Sequence, residues 1–246
     1  MRILLIGYGK MGKAIEKIAP FRKHQIVYRI NSGNTDLLKQ ISKKDVDIAM
    51  EFSTPSTAFE NIKICLEKHI PVVAGTTGWI EKKNEIENFC NKKNGTFFYT
   101  SNYSIGVNVL FKINEFLAKL MSHYPEFDVS IREEHHTQKK DAPSGTAMAL
   151  AQGIIANHPA KNKWQLNQPG IPPSHDIIYI ESVREGNITG DHCVSYLSPL
   201  ENLKISHHAN DRECFAMGAI MAGEFCISNS GVLGMDDLLF DDNFEQ

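Results

Sequence analysis

Apolar and polar positions follow two regimes along this chain. Over the first hundred residues, short apolar runs alternate with amphipathic stretches. Residues 2–6 (Arg-Ile-Leu-Leu-Ile) form an apolar run that ends at Gly7, and a helix-like stretch, Met11–Ala19, follows until Pro20 stops it. Gln25–Ile30 and Asp47–Phe52 are strand candidates, and Ser53-Thr54-Pro55-Ser56 caps a helix expected to reach Lys68. Pro71–Ala74 reads as a short strand, Glu81–Lys92 as a charged amphipathic helix, and Thr96–Thr100 as a strand. Strands alternating with helices at this spacing predict a parallel sheet with right-handed crossovers. Residues 1–104 are therefore expected to form a doubly wound α/β domain.

The second regime begins with Val107–Ser122. Its apolar residues Val107, Leu110, Phe111, Ile113, Phe116, Leu117, Leu120 and Met121 form a helical stripe expected to face a core. Phe127–Arg132 alternates like a strand and runs into a charged loop, after which Met148–Ala156 resumes a helix. Residues 158–176 hold Pro159, Pro169, Pro172 and Pro173 with few apolar anchors, so a surface excursion is expected. Ile177–Arg184, His192–Leu197 and Leu203–His207 are strand candidates with no helix between them. This reads as a meander, and predicts a smaller α+β domain over residues 105–212 with a mixed or antiparallel sheet. Cys214–Ser228 is apolar and glycine-spaced, so the 213–246 segment is expected to return to the first domain as a buried helix.

Composition narrows the function classes. With 42% apolar residues in 246, the chain can bury a real core, and its formal charge of −3 supplies no basic field for nucleic acid. Five scattered cysteines without a C-x-x-C pair argue against a disulfide framework or zinc ribbon and fit reduced thiols in a cytosol. The apolar run before Gly7 is shorter than a signal peptide requires, and no stretch approaches the length of a membrane span. A cytoplasmic protein with no membrane partner is expected.

Gly7-Tyr8-Gly9-Lys10-Met11-Gly12 fits G-x-G-x-x-G, directly after a strand and before a helix. The first glycine permits the tight turn, the second lets a pyrophosphate approach the backbone, and the third lets helix and strand pack closely. The helix N-terminus then faces the anion. In this context the motif predicts dinucleotide binding and a Rossmann-like domain; otherwise it merely connects strand to helix. A carboxylate near the end of the second strand would bind a ribose 2′-hydroxyl. Here Val27-Tyr28-Arg29-Ile30-Asn31-Ser32 has none before Asp36, and Arg29 either neutralises a 2′-phosphate or is simply solvated. The stretch leans towards NADPH, or towards use of both NADPH and NADH. Gly75-Thr76-Thr77-Gly78 and Thr100-Ser101-Asn102-Tyr103 follow later strands, where small hydroxyl residues either line a cofactor cleft or form ordinary capped turns.

The charged loop, Glu133-Glu134-His135-His136-Thr137-Gln138-Lys139-Lys140-Asp141-Ala142-Pro143-Ser144-Gly145-Thr146, admits four readings. It could be a metal site, but adjacent histidines on a strand point to opposite faces and no recognised ligand spacing is present. It could be a solvated loop. A hydrolase built on Ser144 would want G-x-S-x-G, which is missing. The fourth reading explains most residues: a pocket for proton transfer and carboxylate binding. There His135 or His136 gives a proton, Lys139 supplies positive charge, and the turn into a helix at Ser144-Gly145-Thr146 offers free N–H groups.

These residues resemble a family signature. His135-His136-x-x-Lys139-x-Asp141-Ala142-Pro143-Ser144-Gly145-Thr146-Ala147 is similar to that of the 4-hydroxy-tetrahydrodipicolinate reductases, also called dihydrodipicolinate reductases. The resemblance extends through Gly7–Gly12, Gly75–Gly78, Asn102–Asn108, Arg184-Glu185-Gly186-x-x-x-Gly190-x-His192, His207-x-Ala209-x-x-Arg212 and Gly231-x-x-x-Met235-x-Asp237-Leu238-Leu239, in family order from end to end. It implies an NAD(P)H-dependent reductase of a cyclic dicarboxylate on the diaminopimelate route to lysine, without metal, and assembled as a homotetramer. It also implies His135 as proton donor and acceptor, Lys139 as a second donor, and His136, Gly145, Thr146 and Arg212 as carboxylate ligands. Gly7 to Gly12, Gly75 to Thr77 and Thr100 to Tyr103 would bind the cofactor, and hinge closure would bring the two half-sites together. Three departures stand out: the acidic residue many relatives carry after the second strand is missing, Thr54 stands where some place an arginine, and the segment after Ile30 is trimmed. The alternatives are another two-domain Rossmann dehydrogenase acting on an amino acid or semialdehyde, or a nucleotide-sensing relative that lost the chemistry.

Overall fold

The computed structural model describes residues 1–167 and 174–241. In chain order, the elements are β1 (Arg2–Ile6), α1 (Lys10–Ile18), β2 (Gln25–Ile30), β3 (Ile48–Glu51), α2 (Pro55–Glu67), β4 (Val72–Ala74), α3 (Lys83–Lys93) and β5 (Thr96–Tyr99). Then come α4 (Ile105–Met121), β6 (Asp128–His135), α5 (Gly145–Asn157), β7 (Lys163–Leu166), β8 (Ile177–Arg184), β9 (Asp191–Leu197) and β10 (Asn202–His208). The chain closes with α6 (Glu213–Ser228), β11 (Gly231–Leu233) and α7 (Met235–Leu239). It divides into two compact units, Met1–Ile105 with the segment from Arg212 onward, and Gly106–Asp211.

The first unit is built on a six-stranded sheet in the order β11-β5-β4-β3-β1-β2, with every paired strand parallel. Helices on both faces explain why β1 and β3 read as unbroken apolar runs. Leu4, Ile6 and Ala49 pack with Ala58, Ile62 and Leu66 of α2 and Ile86 of α3. Their neighbours Ile3, Leu5, Ile48 and Met50 point to the opposite side, against Ile15 of α1 and Ala216, Ala219 and Ile220 of α6. Burying one such aliphatic side chain is worth about 1.5–3 kcal/mol, so both layers are strongly held. The order reverses at β1, with β2 on one side and β3 on the other. Ligands of open parallel sheets bind at such a switch point, beyond the carboxyl ends of the strands.

The second unit carries a mixed five-stranded sheet in the order β10-β9-β6-β8-β7. The sequence pattern suggested that β8, β9 and β10 form a meander; β9 and β10 do pair antiparallel, but β8 and β9 are not neighbours. β6 lies between β8 and β9, parallel to the first and antiparallel to the second. Period-two alternation identifies strands but says nothing of which ones pair. On one face, Val129, Ile131, Ile178, Ile180 and Val194 pack against Leu110, Leu117 and Ala118 of α4 and Leu150, Ala151 and Ile154 of α5.

Other expectations also need revision. The proline-rich excursion contains β7, paired in parallel with β8, while Pro169, Pro172 and Pro173 lie outside the described residues. The 213–246 segment is not one helix, because α6 ends at Ser228 and β11 then adds an edge strand beside β5. The apolar stripe of α4 is not wholly core-facing: Ile113, Phe116 and Leu120 are 46%, 70% and 45% exposed. Apolar residues run round more of this helix than its core can cover.

Candidate active site

The turn after β1 assigns each glycine of the motif a separate job. Gly7 sits at φ +93°, and a Cβ there would lie 2.1 Å from the Phe52 carbonyl oxygen, so only glycine fits. A Cβ on Gly12 would lie 2.3 Å from the Gly7 carbonyl oxygen, which is the close packing of helix on strand. Around Gly9 there is nothing within 4 Å of such an atom, so the backbone is open to an incoming group. Gly9 caps α1 without a side-chain hydrogen bond, and no acidic residue occupies the first turn. Free N–H groups and the helix dipole thus favour an anion beside Lys10 and Met11. Beside the turn is a cavity of about 390 Å³ whose walls include Gly7, Tyr8, Gly9, Asn31, Ser32 and Thr35. Ser53, Thr54, Thr57 and Asn61 complete its polar wall beyond β3.

The other cofactor candidates divide by burial. Gly75 is held against Phe52, whose ring would meet an added Cβ at 2.1 Å. Thr76 is buried and its hydroxyl accepts the Ser53 N–H at 2.8 Å, whereas Thr77 is exposed. The Thr100 hydroxyl accepts from the Asn102 N–H at 3.2 Å, and Ser101 is exposed. Tyr103 is core: its ring packs edge-on to Phe52 and its hydroxyl donates to the Ala74 carbonyl at 2.8 Å. Its side chain is thereby engaged within the first unit. Arg29 donates to Glu16 at 2.8 Å from Nε, and Glu16 also accepts the Tyr8 hydroxyl. A fixed carboxylate therefore already balances the arginine considered for a 2′-phosphate. Arg212 lies in the same unit, exposed at the N-cap of α6.

In the second unit, the charged segment is only partly a loop, since β6 runs on through His135. Alternation along β6 turns Glu133 and His135 to the buried face, and His135 Nδ1 is hydrogen-bonded to Glu133 Oε2. The other Glu133 oxygen accepts from Arg184 at 2.7 Å, and Arg184 also donates to the Asp141 carbonyl at 2.6 Å. The Asp141 carboxylate in turn pairs with Lys139 at 2.8 Å. His135 and Lys139 are thus linked through one chain of polar contacts. Burial opposes the Glu133 charge, but His135 and Arg184 overcome it and hold the carboxyl down at about 2. His136 leaves the strand with its backbone N–H on the Ile188 carbonyl at 2.8 Å.

The helix α5 starts at Gly145, three residues earlier than the apolar pattern suggested. Ser144 is its N-cap and accepts from the Ala147 N–H at 3.2 Å, leaving Gly145 and Thr146 in the first turn. No side chain crowds Gly145. The Ser144 hydroxyl also shares a hydrogen bond of 3.1 Å with His192 Nε2. Burial first, then the neighbouring His135, push the His192 imidazole down to about 3, so it stays neutral.

Glu133, Arg184 and His192 were not singled out as site residues from the sequence, although a signal for each existed. Glu133 is two residues before His135 on a strand and must share its face. The pairing register sets Arg184 opposite His135 and His192 opposite Glu133, and register was the missing knowledge. Glu133, His135 and His192 each bring one potential metal ligand within 4.8 Å of the others. The Arg184 guanidinium against the same carboxylate disfavours a further cation there. Asn31, Ser32, Thr35, Thr57 and Asn61 were likewise missed, because a cavity wall follows from sheet order.

A parallel six-stranded sheet with a dinucleotide turn at its switch point, joined to a unit bearing a buried imidazole–carboxylate cluster, defines a two-domain oxidoreductase of the nicotinamide class. The family model described as dihydrodipicolinate reductase, N-terminus, matches residues 1–103, and that described as dihydrodipicolinate reductase, C-terminus, matches residues 106–239. The 4-hydroxy-tetrahydrodipicolinate reductase of Christiangramia forsetii is 41% identical over 98% of both chains. That of Clostridium tetani is 36% identical over 97% of both. Among solved structures, a dipicolinate-bound dihydrodipicolinate reductase from Paenisporosarcina sp. TG-14 superposes with a TM-score of 0.75 at 22% identity, covering 95% of this chain and 97% of that one. An amine dehydrogenase from Mycobacterium smegmatis shares the fold at a TM-score of 0.59 and 12% identity, over 95% and 94% of the two chains. The chain belongs to the dihydrodipicolinate reductase family.

Proposed function

We propose that this chain reduces (2S,4S)-4-hydroxy-2,3,4,5-tetrahydrodipicolinate with NADPH or NADH, releasing water and giving tetrahydrodipicolinate in the diaminopimelate route to lysine. The observation that carries the reading is the joined cluster of His135, Glu133, Arg184, Asp141 and Lys139, in a chain whose two halves match this family throughout. When bound, the dihydronicotinamide supplies the hydride. The turn at Gly7 to Gly12 holds the pyrophosphate, with Gly75 to Thr77 and Thr100 to Tyr103 beside the same cofactor. The balance requires one proton besides the hydride, and loss of the 4-hydroxyl as water.

In this reading His135 donates that proton to the electron-rich carbon, and Lys139 is the second donor. Lys139, His136, Arg212 and the N–H groups of Gly145 and Thr146 offset the two substrate carboxylates, whose charge would otherwise oppose hydride arrival. The paired Arg29 supports use of both coenzymes over a strict demand for a 2′-phosphate. A homotetramer in the cytoplasm belongs to the same reading. The exposed apolar side chains of α4 support the assembly, and a monomer in sedimentation equilibrium would sink it.

The test is oxidation of NADH and of NADPH, followed at about 340 nm, with freshly made condensation product of pyruvate and aspartate semialdehyde. No turnover with either coenzyme would remove the enzyme reading. His135→Gln should lower kcat by about 10²-fold or more, the usual worth of a general acid, while leaving cofactor Kd nearly unchanged. Unaltered turnover would take His135 out of its role.

A further inference from the structure

We propose that Glu133 is a positioning residue that fixes the tautomer of His135, holding the proton on Nδ1 so that Nε2 is the nitrogen exchanging a proton with substrate. The proposal rests on the reading of His135 as the proton donor, and adds what makes it competent. Three independent observations support it. Glu133 is fully buried, and its two oxygens have different tasks: Oε2 takes His135 Nδ1, while Oε1 takes Arg184 at 2.7 Å and the Ser144 N–H at 3.3 Å. A carboxylate anchored on one side by a guanidinium cannot swing away from the imidazole.

The second observation concerns the far nitrogen. Position 190 is glycine, and a Cβ there would lie 3.1 Å from His135 Nε2, so the absent side chain leaves this nitrogen uncrowded. Gly190 is not in the left-handed region, so conformation does not explain the choice. The third is the ring neighbour: His192 stands edge-on to His135 at 5.2 Å between centroids. His192 is held on Ser144 through Nε2, so it packs the imidazole without competing for Glu133.

The charged groups around His135 are therefore Glu133 from its own strand, Arg184 from β8, neutral His192 from β9, and the Lys139–Asp141 pair from the following loop. The only anion in direct contact with the ring is Glu133 among these. A carboxylate on Nδ1 stabilises the imidazolium that must exist before proton donation, and orients it.

The experiment compares the full-length enzyme with Glu133→Gln and, as reference, His135→Gln. Glutamine keeps an oxygen for Nδ1–H but removes the charge. The expected result is a fall in kcat of about 10²-fold with substrate KM changed less than about threefold, together with loss of the single His135 ring tautomer in ¹⁵N spectra. A merely structural Glu133 would leave the kcat of the folded protein and the His135 tautomer unchanged, whatever it does to the melting temperature. If His135→Gln is nearly inactive while Glu133→Gln keeps the wild-type rate and tautomer, the positioning role falls and the proton-donor reading stands. If His135→Gln itself turns over normally, both fall together. A measurement on the unaltered enzyme stands beside these, whether or not Glu133→Gln folds. The ¹⁵N resonances of neutral His135, assigned by their loss in His135→Gln, should show a protonated Nδ1 and an unprotonated Nε2. The opposite tautomer overturns the proposal.

Discussion

Alanine at Gly9 and alanine at Gly7 should fail in different ways, and the difference tests whether the turn after β1 binds an anion. At Gly7 the new methyl would sit 2.1 Å from the Phe52 carbonyl oxygen, on a residue at φ +93°. The left-handed backbone alone costs about 1–2 kcal/mol for an L-residue. Relieving the overlap means displacing a backbone whose Phe52 N–H donates to Ile6 at 2.7 Å, so a total of about 3 kcal/mol or more is expected. For a chain of this size that lowers Tm by about 6–12 °C. At Gly9 nothing lies within 4 Å of the added atom, and φ is −86°, which alanine adopts freely. The folded protein should change by less than about 1 kcal/mol. Bound pyrophosphate would meet that methyl where it needs the backbone. Losing one charge-assisted hydrogen bond is worth about 1.5–3 kcal/mol, so Kd for NADH and NADPH should rise about 10- to 150-fold. The assays are thermal melting without cofactor and calorimetric titration with each coenzyme. A well-folded Gly9→Ala protein with wild-type Kd would refute the anion site, and a melt as low as that of Gly7→Ala would refute the packing argument.

Other perturbations reach other links. Lys139→Ala removes the ammonium that Asp141 holds at 2.8 Å and should raise substrate KM and lower kcat, each by about 10-fold or more; steady-state kinetics showing neither change would undo its assignment. His192 is pushed to about 3 in the folded protein, so the unfolded chain binds the extra proton first as pH falls below its ordinary value of 6.5. Stability should drop through that window, by about 2 kcal/mol at pH 5, and His192→Gln should flatten the fall in pH-dependent denaturant melts. An unchanged slope would contradict a buried neutral imidazole. Glu51 shows the opposite linkage: burial raises its carboxyl above 4.5 in the folded state, and its Oε2 lacks a hydrogen-bond partner. The folded state therefore keeps the proton longer, and stability falls as pH climbs from the unfolded value through the raised one. Glu51→Gln should gain stability relative to the parent across that rise, and a Tm difference independent of pH would argue against it.

Much of the first unit was legible because its signals are local. A buried parallel strand is an unbroken apolar run, and residues 3–6 and 48–50 showed it. A glycine-rich turn between a strand and a helix announces itself by spacing. The second unit was less legible because its organising fact is register. β8 and β9 follow each other in sequence, yet β6 lies between them, and no periodicity encodes that insertion. The same insertion gathers the site: Arg184 comes from the strand on one side of β6 and His192 from the strand on the other. His135 could be chosen from its motif, whereas the residues that contact it became visible only with the pairing. β11 was hidden for a different reason, since three half-buried residues at an edge carry almost no apolar pattern.

The two half-sites also invite opposite kinds of mutation. In the first unit the candidate site is made of missing side chains, so adding a methyl is the informative change and polar deletions such as Ser32→Ala should do less. In the second unit the candidate site is made of charges whose partners are buried, and the informative change alters charge at constant shape. Glu133 is the sharpest case: it is fully buried between Arg184 and His135, and removing its charge leaves a largely covered guanidinium with only carbonyl acceptors among the described residues. Removing Glu133 alone should therefore harm folding more than removing Glu133 and Arg184 together. A double-mutant cycle with Glu133→Gln and Arg184→Met, read by denaturant midpoint, should give a coupling of about 2 kcal/mol or more. Additive losses would mean that Arg184 is solvated in the working protein and does not anchor the carboxylate.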